Sequence, residues 1–244
     1  MDWRDEGILI SVRRHGESSA IIEAFTAAHG RHAGVVRGGA GRRMAPVLQP
    51  GAILALDWSA RLEEHIGNFR VDPVRSNAAT VMADRAALAA LGSITALISA
   101  TLPEREEHPA LYARTLDLID ALGAATDWPA RYALWELALL AEVGFGLDLT
   151  ACAATGATED LIWVSPKSGR AVSRAGAAGW EPRLLPLPAF LRDGAVEAAP
   201  DDIAAALRLS GHFLEASLAP HLPRAALPAA RARAADALQR MKAE

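Results

Sequence analysis

Residues 34–51 read GVVRGGAGRRMAPVLQPG, and the chain around them folds to suit this stretch. It begins as a strand at Ala33-Gly34-Val35-Val36, breaks at Gly38-Gly39, and carries Arg37, Arg42 and Arg43 through the loop that follows. Pro46 to Gly51 lead back into a second strand. No Asp or Glu lies between Glu23 and Asp57, although the chain as a whole has a net charge of −4. Arginine forks grip phosphates bidentately and glycines let a backbone come close, so a cationic loop between two strands suits a polyanion. The plain alternative is a solvated turn in an arginine-rich chain. Only Lys167 and Lys242 are lysine among 25 basic residues, which is the mark of a biased composition.

Working outward, residues 3–15, 20–25 and 31–37 read as strands separated by Gly16-Glu17-Ser18-Ser19 and by the turn at residues 26–30. Residues 52–61 alternate, with Ile53, Ala55, Asp57 and Ser59 on one side and Leu54, Leu56, Trp58 and Ala60 on the other. Residues 65–74 supply a fifth strand. Five short strands within about 75 residues, punctuated by Gly, Ser and Asn, predict a small antiparallel barrel of OB type.

At Ser76-Asn77 the pattern changes. Residues 78–100 repeat Val81, Leu88, Leu91, Ile94, Leu97 and Ile98 at helical spacing, with Ser76 or Asn77 as cap. A charged loop at residues 103–108 leads to a second helix over residues 109–122. A third runs over residues 129–143 with proline at its first turn. It is apolar nearly all round and should form the core of a helical domain. Residues 147–188 return to turns and short strands at residues 160–164 and 169–172. Helices over residues 203–218 and 228–241 close the chain, the latter with Arg231, Arg233 and Arg240 predicted exposed. The expected class is multidomain α and β: a five-stranded OB-type barrel over residues 1–77, a helical domain over 78–148, and a C-terminal region over 149–244 holding a small β-containing insertion.

The chemistry is mostly negative. There is no GxxxxGK[ST], GxGxxG after a strand, HExxH, GxSxG or CxxC. His29 and His32 lie near one turn without a cysteine or carboxylate beside them. The single cysteine, Cys152, excludes a disulfide framework and reads as a small buried hydrophobe. Neither metal nor organic cofactor is expected, no apolar run reaches the length of a spanning helix, and the N-terminus lacks a signal-type core, so a cytoplasmic protein is the expectation. The positive signal is the cluster Arg13, Arg14, His15, Arg31, His32, Arg37, Arg42 and Arg43. With few rings in the barrel, phosphate contact is the mechanism these residues support.

Several stretches together resemble the RecO family of bacterial recombination mediators. The opening WRDEGILISVRRHGESSAIIEAFTAAHGRHAGVVRGGAGRR resembles that family's first three strands and basic loop, LQPG its entry to the fourth strand, and WELALLAEVGFGLDLTACAATG its helix running into a cysteine and glycine. The resemblance covers nearly the whole chain. It implies a non-enzymatic protein that binds single- and double-stranded DNA, anneals complementary strands, and with RecR helps load recombinase onto DNA coated by single-strand-binding protein. It also implies that the helical domain receives the acidic-apolar tail of single-strand-binding protein. Arg131 and Trp135, one turn apart, are the candidates for its carboxylate and its aromatic end. Some members carry zinc on a CxxC…CxxC pair. Here the first pair reads Cys152-Ala153-Ala154-Thr155 and the second falls near residues 172–175, so the segment 149–188 is expected to be zinc-less and held by apolar packing of Ile162, Trp163, Val164 and Trp180. A different class of function, a protein–protein adaptor whose basic loop is incidental, shares the same barrel.

Overall fold

The computed structural model describes residues 1–62 and 64–241. The chain divides into two compact units, Met1–Ala124 with Pro228–Ala234 and Ala125–Leu227 with Ala235–Glu244.

The first unit begins with the barrel. Strands β1 (Asp2–His15), β2 (Ser19–Thr26), β3 (Gly30–Val36), β4 (Ile53–Ser59) and β5 (Asn68–Arg75) close in the order β1-β2-β3-β5-β4. All five expected strands are present, each within a few residues of its predicted ends. β1 serves two neighbours. Residues Asp2–Ile8 pair with β4 and Gly7–His15 with β2, and a register shift between Leu9 and Ser11 bends the strand between them, the usual role of a bulge in turning a barrel corner. Closure between β3 and β5 rests on one parallel pair, Val35 with Asn68. Inside, Leu9, Ile22, Leu54, Leu56, Trp58 and Phe69 form the core.

In the same unit follow α1 (Ala78–Ala83), α2 (Arg85–Thr101) and α3 (Pro109–Ala121). The single helix expected over residues 78–100 is two. Asp84 leaves the helical conformation, ends α1, and accepts from the N–H groups of Ala86 and Ala87 at 2.8 and 3.1 Å, so a carboxylate within the periodic run caps a new helix. Ser76 Oγ accepts from Ala78 N, while the Asn77 side chain donates instead to the carbonyl of Ile119. The division at Ser76-Asn77 thus falls inside a compact unit. Phe25 meets Tyr112 edge-on at 5.5 Å, and Tyr112 donates to the carbonyl of Glu6.

The charged loop between α2 and α3 straps the first unit together. Arg105 N donates to Arg31 O at 2.8 Å, the Arg31 guanidinium pairs with Glu23 at 3.0 Å and Glu104 at 3.5 Å, and His108 is buried.

The second unit holds α4 (Trp128–Glu142), a small sheet of β6 (Leu161–Val164), β7 (Ala171–Ser173) and β8 (Leu185–Pro186) in the order β7-β6-β8, the short α5 (Phe190–Asp193), and α6 (Pro200–Phe213), which runs on into a π turn at Leu214–Leu218. α7 (Ala229–Met241) ends the described chain. Glu136, fully buried on α4, accepts from Tyr132 Oη at 2.9 Å and from Ser210 Oγ of α6 at 2.5 Å. A buried carboxylate needs such donors, which is the physical reason for an acid within an otherwise apolar helix. Two expectations are corrected here. Arg231 is buried rather than exposed, at 8%. Trp180 is 57% exposed with Arg183 over its ring, so the insertion is held instead by Leu161, Val164, Ala171 and Val172, with Ile162 and Trp163 half-buried.

In the segment expected to be zinc-less, Cys152, Thr155, Ser173 and Gly176 converge. Ser173 donates to Cys152 Sγ from its N–H at 3.2 Å and from its hydroxyl at 3.3 Å, Thr155 Oγ1 lies 3.4 Å from Ser173 Oγ, and Gly176 N donates to Ser173 Oγ at 3.1 Å. Hydrogen bonds therefore tie the two turns together. Among the described residues no three His, Cys, Asp or Glu side chains come together as metal ligands.

Candidate nucleic-acid interface

The loop opened at Gly38 is compact. Met44 and Ala45 donate to Gly41 O, and Val47 and Leu48 to Met44 O, so the segment coils. Leu48 is buried in the barrel core and Met44 and Val47 pack against it. This anchoring turns Arg37, Arg42 and Arg43 outward, and all three are exposed.

The β1–β2 hairpin is brought to the same end. Arg14 pairs with Ala20, which on its other side pairs with Val36. Two strand spacings put Arg14 roughly 10 Å from Val36, the residue before Arg37. Ala40 N donates to Ser18 O at 3.0 Å and locks the loop to the hairpin turn. Arg13, Arg14, Arg37, Arg42 and Arg43 thus share one end of the barrel, and among the described residues none is ion-paired. The neighbouring acid is the exposed Glu17 of the hairpin turn.

Beside this end, where β3 and β5 barely pair, lies a cavity of about 660 Å³ lined by Arg37, Met44, Asn68, Phe69, Arg70 and Val71 on one side and by Asp2 and Asp57 on the other. Arg70 escaped the sequence reading. It is exposed on β5 across from Asp57, whose carboxylate is engaged by Arg4 at 3.2 Å. The signal was there in the alternation of β5, which buries Phe69 between exposed Asn68 and Arg70.

Two members of the predicted cluster stand elsewhere. Arg31 has a side chain only 14% exposed, held by Glu23, Glu104 and the carbonyl of Leu102, so it is a strap and not a phosphate contact. His32 points inward, as the alternation of β3 requires. It is 4% exposed, and neither ring nitrogen has a hydrogen-bond partner. Burial, then the charges of Arg105 and His29, lower its pKa to about 4, and it stays neutral. The unfolded histidine titrates near 6.5, so the stability His32 contributes is complete above that pH and is lost as pH falls toward 4. Between pH 7 and pH 5 the loss is expected to be roughly 2 kcal/mol, and a His32→Leu variant, compared by denaturant midpoints at the two pH values, should lack it.

In the second unit Arg131 is half-buried and pairs with Asp127 at 2.7 Å, its partner one turn earlier. Trp135 is 2% exposed and lies against Tyr132. A ring so packed offers no surface to a docking tail, and the expectation for Trp135 is corrected to a core role.

Among the described residues no helix is long and apolar enough to cross a membrane. The family model for the N-terminal part of recombination protein O matches residues 1–77, and that for its C-terminal part matches residues 82–225. The chain is 56% identical over 241 residues to the DNA repair protein RecO of Ruegeria sp. (strain TM1040), covering 98% of this chain and 99% of that one. The protein of the same name from Cereibacter sphaeroides is 58% identical over 241 residues, with 98% and 99% covered. That from Jannaschia sp. (strain CCS1) is 58% identical over 240 residues, with 98% and 97% covered.

Proposed function

Since the chain belongs to the RecO family of DNA repair and recombination proteins, a non-enzymatic family, we propose that it is a mediator that holds DNA by its phosphates at the loop end of the barrel. The observation that carries this is the convergence of five exposed arginines with no carboxylate partner among the described residues. Phosphates of either a single strand or a duplex are suitable counterions for such a surface. Neutralising two strands at once lowers their mutual repulsion, which is what annealing of complementary strands requires.

The resemblance supports RecR and the tail of single-strand-binding protein as partners, and loading of recombinase onto coated single strands as the outcome, in the cytoplasm and at the nucleoid. In this reading the segment 1–77 contacts DNA, and the helical segments 78–148 and 149–244 meet protein partners. Arg131 would take the terminal carboxylate of the tail by exchanging it for Asp127.

A labelled oligonucleotide titrated at 50 and 200 mM salt tests the core of the proposal. Affinity should fall steeply, with a log–log slope near −0.7 for each phosphate neutralised on a single strand. An affinity unchanged by salt would assign the barrel to a protein partner instead.

A further inference from the structure

The barrel carries a second cavity, of about 470 Å³, that the loop arginines do not account for. Trp3, His29, His32, Trp58, Arg105 and Glu107 line it, and it shares Asp2 with the Arg37–Arg70 groove. Three unusual features meet in its wall. Trp3 lies flat on His29, with ring centroids 4.1 Å apart and planes at 18°, and runs nearly parallel to Trp58 at 5.8 Å. Arg105 is a non-glycine residue at φ 64°, a strained conformation for an arginine. Its N–H is bound by Arg31 O and its Nη2 by His65 O, which set its guanidinium 6.0 Å from the Trp58 ring. Behind these, His32 is buried with both ring nitrogens unpartnered. Buried polar atoms without partners are rare and require a reason.

Half-buried parallel rings, a cation beside them and a polar ring behind are the groups that hold a flat heterocycle bearing a charge. We propose that this cavity receives one unpaired nucleobase of a DNA strand lying in the Arg37–Arg70 groove, with Trp3 and His29 as its stacking platform and Arg105 against its phosphate. The inference rests on the DNA-binding reading above. Asp2 and Glu107 among the lining residues favour a neutral base over a second anion inside the cavity. The half-buried parallel rings of Trp3 and His29 offer a broad stacking surface for a flat heterocycle, with the Arg105 cation beside it for the phosphate that a nucleotide carries next to its base.

The test uses the full chain with a single-stranded oligothymidylate, an abasic strand of equal length, a duplex of equal length, and an acidic peptide ending in phenylalanine. Trp3→Ala and His29→Ala should each weaken the oligothymidylate about tenfold and leave the abasic strand and the duplex unchanged. A strand carrying 2-aminopurine should be quenched by the parent protein and not by Trp3→Ala. If Trp3→Ala fails to fold, His29→Ala, in an ordered turn at the rim, decides alone. Equal oligothymidylate binding by both ring variants, while loop-arginine substitution still weakens it, overturns the pocket and leaves the phosphate surface standing. If loop-arginine substitution also has no effect, the DNA reading itself fails. Trp3-dependent binding of the peptide without quenching of 2-aminopurine would make the cavity a protein-docking site and overturn the proposal as well.

Discussion

Replacing Arg37, Arg42 and Arg43 together by alanine should lower the affinity for single-stranded DNA about a hundredfold at 0.1 M salt. Each cation that neutralises one phosphate of a single strand contributes about 0.7 to the slope of log affinity against log salt. Three such contacts remove about 2 from the slope, and at 0.1 M that is about two decades relative to 1 M. The side chains are exposed and the loop is anchored by Met44, Val47 and Leu48 rather than by its arginines, so the barrel should fold unchanged by circular dichroism. The loss should be the same for every sequence, because phosphates carry no sequence information. A triple variant with native affinity and native salt slope would place the DNA elsewhere on the protein or off it altogether.

The barrel was legible because each of its strands announces itself twice, by period-two alternation and by a bounding turn. The same alternation also sorts the cluster of basic residues. Along β3, Gly30, His32, Gly34 and Val36 face inward while Arg31, Ala33 and Val35 are half-buried on the other side, so Arg31 and the adjacent His32 could not share one surface. Arg31 and His32 were separated by this pleat, and Arg70 joined the groove by the same rule. What no local pattern could show is the strap. The loop of residues 103–108 reads as solvated charge, yet Glu104 and Arg105 reach β3 across some seventy residues of sequence. The aromatic cavity was hidden for the same reason: Trp3, Trp58 and Arg105 lie far apart in the chain.

The second unit was less legible, and the reason is that apolar composition does not say which ring is covered. Trp135 and Trp180 are equally hydrophobic; one is 2% exposed and the other 57%. On α4 the buried set includes Trp128, Tyr132, Trp135, Leu139 and Leu140, so its rings are all packed, and the half-buried strip of Arg131, Leu134 and Ala138 offers a tail a cation but no aromatic ring. The convergence of Cys152, Thr155, Ser173 and Gly176 could be anticipated only in outline, since serine and threonine at those places are as common in turns as in any cluster.

Gly30→Ala should be the most destabilising single substitution in the barrel, costing on the order of 4 kcal/mol, a large part of the stability of a typical domain. Two effects add. Gly30 has φ +58°, where a Cβ costs roughly 1–2 kcal/mol. A Cβ there would also lie 1.8 Å from Glu106 O and 2.6 Å from Glu106 C. Those are backbone atoms of the strap, not the flexible end of a side chain, so β3 and the 103–108 loop would have to part. Parting them breaks the Arg105 N to Arg31 O bond and loosens the Arg31–Glu104 pair, and it releases Arg105 from the wall of the aromatic cavity. Gly16 supplies the control. It has φ +63°, and a Cβ built on it meets nothing within 4 Å, so Gly16→Ala carries the backbone cost alone, about 1–2 kcal/mol. Urea midpoints of the two variants measure the difference directly. If Gly30→Ala costs no more than Gly16→Ala, the loop does not sit against β3, and the strained placement of Arg105 beside Trp58 goes with it.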